Sequence, residues 1–118
     1  MVRNQNLIVN WEKGGKEIIE NGMNSFRGKN FYFRKGITWS DVGSGDFSCR
    51  FTEDGFIFDI KGTSSFPDDD NLPLILSLQN SKIGTYILNI LNPTLSFQSG
   101  DIRRIPYLKK EITSVLNR

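Results

Sequence analysis

The stretch Phe47-Ser48-Cys49-Arg50-Phe51-Thr52-Glu53-Asp54-Gly55-Phe56-Ile57-Phe58-Asp59-Ile60 carries the clearest structural signal in this chain of 118 residues. Apolar and polar residues alternate from Phe47 to Phe51, which is typical of a β-strand with one buried face. Asp54-Gly55 separates this run from a second apolar run, and a glycine there can adopt the positive φ of a tight turn. We therefore predict a β-hairpin with strands over 47–51 and 56–60.

The regions on both sides of this hairpin predict more strands and one helix. Phe31-Tyr32-Phe33 and Ile37-Thr38-Trp39 are aromatic and β-branched runs typical of strands. Residues 68–71 are predicted to open a helix of about twenty residues that ends at Asn92-Pro93, because proline cannot continue the helical hydrogen bonds. Gly84 in its middle indicates a close backbone approach. The fold class is α+β, a twisted and mostly antiparallel sheet with one main helix packed on it.

The chain is expected to divide into three parts. Residues 1–30 are polar and glycine-rich, and they form a loosely packed N-terminal segment with at most a short helix over Lys16-Glu17-Ile18-Ile19-Glu20. Residues 31–107 form the α+β core. Residues 108–118 begin a C-terminal helix.

The composition excludes several kinds of site. The chain has no histidine, so the commonest general base and the commonest zinc ligand are missing. Cys49 is the single cysteine, and therefore no internal disulfide can form. The N-terminus does not look like a signal peptide, and no apolar run is long enough to span a membrane. We expect a cytoplasmic protein with no metal site and no membrane association.

Two short motifs imitate catalytic loops. The run Asp41-Val42-Gly43-Ser44-Gly45-Asp46-Phe47 is like the glycine-rich cofactor loop of S-adenosylmethionine-dependent methyltransferases, but it lacks the preceding apolar strand and the following helix. Asn92-Pro93-Thr94 lacks the second proline and the aromatic residue of an amino-methyltransferase loop. We expect a polar turn and a helix stop, respectively. The chain therefore shows no catalytic residue and no cofactor site.

The charged residues are distributed unevenly although the net charge is only +2. The acidic residues gather at 53–54 and 68–70, whereas the basic residues recur elsewhere, which permits a positive face that could bind phosphates. The alternative is an ordinary solvated surface. The candidate phosphate contacts are Arg27, Lys29, Arg34, Lys35, Arg50, Arg103 and Arg104.

Three residues are weaker candidates for contact with nucleic-acid bases: Trp39, Ser40 and Ser44. Hydroxyl groups can bond to base edges, and a tryptophan at a strand end could contact a base. For Trp39 the more common role in a small domain is core packing, and the sequence favours that alternative.

Several segments together resemble a known family. Val9-Asn10-Trp11-Glu12, Gly36-Ile37-Thr38-Trp39-Ser40 and Leu91-Asn92-Pro93-Thr94-Leu95-Ser96-Phe97-Gln98-Ser99-Gly100-Asp101-Ile102 look like parts of large bacterial adenine-specific DNA methyltransferases. The nearest group is the PglX-type enzymes of BREX phage-defence systems, which are similar to type IIG restriction-modification proteins. The resemblance spans about residues 8 to 108.

The resemblance implies a role in DNA recognition. In that family, this region follows the catalytic domain and is similar to the target recognition domains that read the DNA sequence. The implied partners are double-stranded DNA and the catalytic methyltransferase domain of a longer parent chain, which would bind S-adenosylmethionine. The parent's catalytic motifs are missing here, so the chain is expected to be a fragment. The alternatives are a non-catalytic protein-interaction or structural domain of the same large enzyme and, less favoured, a stand-alone enzyme.

Overall fold

The computed structural model describes residues 7–22, 26–40, 46–58, 62–94 and 96–107. The chain divides into two compact units, Met1–Asn30 and Phe31–Arg118. The predicted C-terminal helix over 108–118 lies outside the described residues.

The first unit contains a 3-10 turn at Glu12–Gly14 followed by helix α1, Lys16–Glu20. The short helix predicted at this position is confirmed. It ends at Asn21, whose backbone N–H donates to the Glu17 carbonyl oxygen at 3.0 Å. The rings of Trp11 and Phe26 pack against each other, with 4.8 Å between their centroids.

The second unit is built on a three-stranded antiparallel sheet in the order β2-β1-β3. The strands are β1, Gly36–Trp39, β2, Cys49–Thr52, and β3, Ser64–Ser65. Every residue of the central strand β1 is buried, with its apolar side chains on one face and Thr38 on the other. The Thr38 hydroxyl donates to the Thr63 carbonyl oxygen at 3.1 Å. The sheet and its helices confirm the predicted α+β class.

The predicted hairpin is wrong in its pairing. Strand β2 pairs with β1, with Thr38 opposite Arg50 and Trp39 opposite Cys49, and residues 56–58 form no strand. The turn at Asp54-Gly55 is present, and Gly55 has the expected positive φ of 91°. The chain after the turn bonds to Phe33 instead of β2, because the Phe33 carbonyl accepts from Gly55 N–H at 3.0 Å and the Phe56 carbonyl accepts from Phe33 N–H at 2.9 Å.

The strand predicted at Phe31-Tyr32-Phe33 is also wrong. A 3-10 turn at Lys29–Phe31 opens this segment, and Phe33 has a φ of +66°. A positive φ interrupts an extended chain, so the strand begins only at Gly36.

The predicted long helix is two helices, α2, Leu72–Gln79, and α3, Lys82–Leu91. Ser81 separates them because its backbone is extended and its hydroxyl caps α3, accepting from Gly84 N–H at 3.0 Å and donating to the Leu78 carbonyl at 2.6 Å. The predicted end at Asn92-Pro93 is confirmed. The close approach at Gly84 is confirmed as well, because a Cβ there would collide with the Leu78 carbonyl oxygen.

A short helix that the sequence did not predict, α4, completes the unit at Ser99–Ile102. The Asp101 carboxylate caps it by accepting from Gln98 N–H at 3.0 Å and from the Asn92 side chain at 2.8 Å. Helices α3 and α4 pack with β1 around a buried apolar cluster, and Cys49 and Ile105 lie at its margin. The cluster consists of Trp39, Phe47, Leu88, Phe97 and Ile102. Within the described ranges, no helix has the length and apolar character needed to cross a membrane.

Candidate nucleic-acid interface

Two of the candidate cations, Arg34 and Lys35, directly precede β1 and are exposed. The Arg34 guanidinium carbon lies 5.4 Å from the centroid of the Phe31 ring, a cation–π contact. The Lys35 ammonium lies 2.7 Å from a carboxylate oxygen of Asp69. A phosphate at Lys35 would therefore compete with Asp69, whereas Arg34 keeps its N–H donors available beside an aromatic face.

Arg103 and Arg104 are exposed where α4 ends. The indole N–H of Trp39 donates to the Phe97 carbonyl at 2.8 Å, which places the start of α4 near the carboxyl end of β1. Arg34 and Lys35 precede the amino end of that strand. Four residues of strand span roughly 13 Å, so the structure spreads these cations along β1 instead of gathering them in one cluster.

Arg50 lies between these groups on β2 and is half-buried. It is directly opposite Thr38, and residues directly opposite each other in an antiparallel pair share a face of the sheet. Arg50 therefore belongs to the face opposite Trp39.

The remaining phosphate candidates, Arg27 and Lys29, belong to the first unit and are exposed. The Lys29 ammonium lies 5.8 Å from the ring centroid of Trp11 and 5.9 Å from that of Phe26. This cation–π arrangement fixes the ammonium beside two rings while leaving it open to solvent.

The structure places Trp39 in the core, where the residue is only 3% exposed. Its N–H is bonded to Phe97, and its ring lies 6.0 Å from that of Phe47. This is the packing role that the sequence favoured, and it leaves the indole no open edge for a base. Ser40 follows β1 and is exposed. Ser44 lies outside the described residues, as does most of the loop from Asp41 to Asp46.

A polar contact joins the α2–α3 junction to β2 through Asn80, a residue whose polarity in the predicted helix allowed a bond either to the nearby chain or to DNA. The Asn80 side-chain oxygen accepts from Cys49 N–H at 3.0 Å, and its amide donates to the Cys49 carbonyl at 3.0 Å and to the Leu76 carbonyl at 3.1 Å. The Cys49 thiol donates to the buried Gln79 side-chain oxygen at 3.3 Å. The signal in the sequence was a polar residue that interrupts the apolar face of the predicted helix, and the structure shows that Asn80 bonds to the chain.

Cys49 is expected to resist alkylation in the folded protein. Burial raises the pKa of its thiol from 9.0 to about 11, so near pH 8 the folded protein should carry roughly 100-fold less thiolate than the unfolded chain. Since the folded pKa is the higher one, ionisation of the thiol favours the unfolded chain. The free energy of unfolding is therefore unaffected well below pH 9 and decreases as the pH rises toward 11. Mass spectrometry of iodoacetamide labelling checks this cleanly, because the chain has one cysteine. Equal labelling rates with and without urea would contradict it.

Across the described residues, no group of three or more His, Cys, Asp or Glu side chains is close enough to hold a metal ion. In the described part of the second unit, the surface offers a set of exposed cations, with hydroxyl and aromatic groups beside them. Such a surface can bind anions and bases.

No protein-family model matches the chain. It is 38% identical over 109 residues to the adenine-specific methyltransferase BrxX of Escherichia coli O9:H4 (strain HS), covering 90% of this chain and 9% of the relative. It is 36% identical over 118 residues to the adenine-specific methyltransferase PglX of Lacticaseibacillus casei (strain Zhang), covering 92% of this chain and 10% of the relative. The chain spans about a tenth of the length of these curated relatives. The predicted resemblance is thus confirmed, and the chain is related in sequence to a segment of the PglX and BrxX adenine-specific methyltransferases.

Proposed function

We propose that this chain is a DNA-recognition segment of an adenine-specific N6 DNA methyltransferase, within a BREX-type phage-defence or restriction-modification system. The observation that carries the proposal is its relation, over about nine-tenths of its length, to two proteins named as adenine-specific methyltransferases. In the parent enzyme the catalytic domain binds S-adenosylmethionine and transfers the methyl group. This segment contributes affinity and sequence choice, and it has double-stranded DNA and that catalytic domain as partners.

The cations along β1 support contact with a DNA backbone. Exposed arginines at both ends of a rigid strand can reach separate phosphates, and such contacts fix the register and orientation of a protein on duplex DNA. A buried central strand keeps the two groups at a constant separation. Sequence choice then comes from side chains that reach base edges between these phosphate contacts.

Ser40 is the described residue that is best placed for contact with a base edge. It is exposed and directly follows Trp39, whose indole is bonded to Phe97. Trp39 therefore acts as a positioning residue, because it fixes the strand end that Ser40 follows. A serine hydroxyl both donates and accepts, so it can bond to several bases and contributes modest specificity.

The two arginines after α4 are expected to contribute to the salt dependence of DNA binding. Each phosphate that the protein neutralises contributes about 0.9 to the slope of log affinity against log salt concentration. The double variant Arg103→Gln/Arg104→Gln should therefore reduce the slope by up to about 1.8. Fluorescence anisotropy with a labelled mixed-sequence duplex at several salt concentrations measures it.

The double variant Lys13→Gln/Lys16→Gln is the matched control, because it removes the same charge from lysines that lie near Glu12 and Glu20. Its slope should equal that of the unmodified chain. An affinity that does not fall with increasing salt in the unmodified chain would overturn the DNA-binding proposal.

A second candidate function is protein interaction within the same large enzyme. Three apolar side chains on one side of α3, Ile83, Tyr86 and Ile90, are 65–68% exposed. Leu7 and Ile8 in the first unit are exposed as well. Exposed apolar groups of this kind are typical of surfaces that contact another protein. A lack of salt-dependent DNA binding would favour this candidate.

A further inference from the structure

Phe33 has an unusual backbone conformation for a bulky residue. Its φ is +66°, in the left-handed region where a large side chain is strained. Two backbone hydrogen bonds hold it there, one from Phe33 N–H to Phe56 and one from Gly55 N–H to Phe33. Those bonds use main-chain atoms alone, so a glycine at position 33 could make them without strain.

The strain at Phe33 is not compensated by full burial. The residue is 41% exposed, and its ring meets that of Tyr32 edge-on with 6.5 Å between centroids. A phenylalanine in the core would stabilise the fold by its burial, but a half-exposed ring offers less. Strained backbone at an exposed side chain is typical of a functional position. The ring itself is therefore the feature to explain.

The surroundings of Phe33 suit a nucleic acid. Arg34 and Lys35 follow it in sequence and are exposed. Phe56, whose backbone carbonyl accepts a hydrogen bond from Phe33, is 37% exposed. Proteins that insert apolar side chains between base steps combine such a ring with cations that hold the adjacent phosphates. Stacking on a base is tolerant of sequence, because every base has a π-face.

We propose that Phe33 is a base-stacking residue, whose ring enters DNA where the base stack is open while Arg34 binds an adjacent phosphate. This inference rests on the proposed DNA-binding function. It assigns a different part of the contact to each residue type, since the cations supply affinity for any duplex and the ring adds affinity for a duplex with an interrupted stack.

The test compares a mixed-sequence duplex with the same duplex lacking one base. The unmodified chain should bind the abasic duplex roughly 10-fold more tightly than the intact one. Phe33→Leu should abolish this preference, and an unchanged far-UV circular dichroism spectrum shows that the variant is folded. Phe33→Tyr should keep the preference. Tyr86→Leu, which removes an exposed ring from α3, should keep it too.

Two outcomes separate this inference from the function on which it rests. Salt-dependent binding of the intact duplex, with no abasic preference or with a preference that survives Phe33→Leu, overturns the role of Phe33 alone. Equal loss of the preference in Tyr86→Leu and Phe33→Leu also overturns it. If neither duplex binds in a salt-dependent manner, both proposals are overturned, and a protein ligand for the exposed rings of Phe33 and Phe56 becomes the better explanation.

Discussion

Gly84→Ala is expected to destabilise the fold strongly, although alanine is the better helix former. Propensity alone predicts a gain of up to about 1 kcal/mol for alanine over glycine inside a helix, and less in the first turn of α3, where Gly84 lies. A Cβ at position 84, however, would collide with the Leu78 carbonyl oxygen, a main-chain atom that Ser81 also holds by hydrogen bonds. Relieving such a contact requires α2 and α3 to separate, and over-packing typically costs about 1–3 kcal/mol or more. Urea denaturation followed by tryptophan fluorescence measures the free energy of unfolding.

Gly100→Ala is the matched control for this prediction. Gly100 lies in α4, and a Cβ there would meet no atom within 4 Å. The same substitution should therefore be neutral or should stabilise the protein by up to about 1 kcal/mol, through the reduced freedom of the unfolded chain. If Gly84→Ala proved as stable as Gly100→Ala, the inference that α2 and α3 leave no room for a Cβ at position 84 would be wrong.

Trp39→Ala is expected to remove much of the protein's stability. The change leaves a large cavity between β1, α3 and α4, and it removes the indole N–H that bonds to the Phe97 carbonyl. Replacing a buried tryptophan by alanine costs about 3–5 kcal/mol, out of a total that is roughly 5–15 kcal/mol for a native protein. Thermal unfolding followed by circular dichroism measures the loss.

Trp39→Phe separates the contribution of the buried ring from that of the hydrogen bond to Phe97. It keeps a ring in the cavity but leaves the Phe97 carbonyl without its donor, so we expect a smaller loss of about 1–3 kcal/mol. An unchanged free energy of unfolding in Trp39→Ala, together with weakened DNA binding, would contradict the core role. Such a result would return Trp39 to the residues that contact bases.

Local signals in the sequence were sufficient for element ends but not for strand partners. The proline after Asn92 terminates α3 through contacts within a few residues, and this end was predicted correctly. The end of the short helix α1 at Glu20 was predicted correctly as well. The pairing of β2 depends on distant residues. Strand β2 pairs with β1, whereas Gly55 and Phe56 bond to Phe33 and the described residues 56–58 form no strand. No local pattern encodes that competition.

The candidate site was predictable in residue type but not in placement. Arginine and lysine are recognisable as phosphate ligands wherever they occur, but their distribution along β1 follows from the sheet register and the position of α4. The role of Asn80 was not predictable for the same reason, because its bonds to Cys49 span 31 residues. A polar residue at a helix end can serve the fold or a ligand, and sequence alone does not distinguish the two.

The contact between Asn80 and Cys49 also limits how molecules of this protein can associate. Strand β2 is an outer strand of the sheet, and the outer edge of a sheet can pair with a strand from another molecule. The Asn80 side chain takes up both the N–H and the carbonyl of Cys49, so a foreign strand finds those two groups already bonded. One asparagine thus both anchors a helix junction and takes two edge groups of β2 out of reach of another strand.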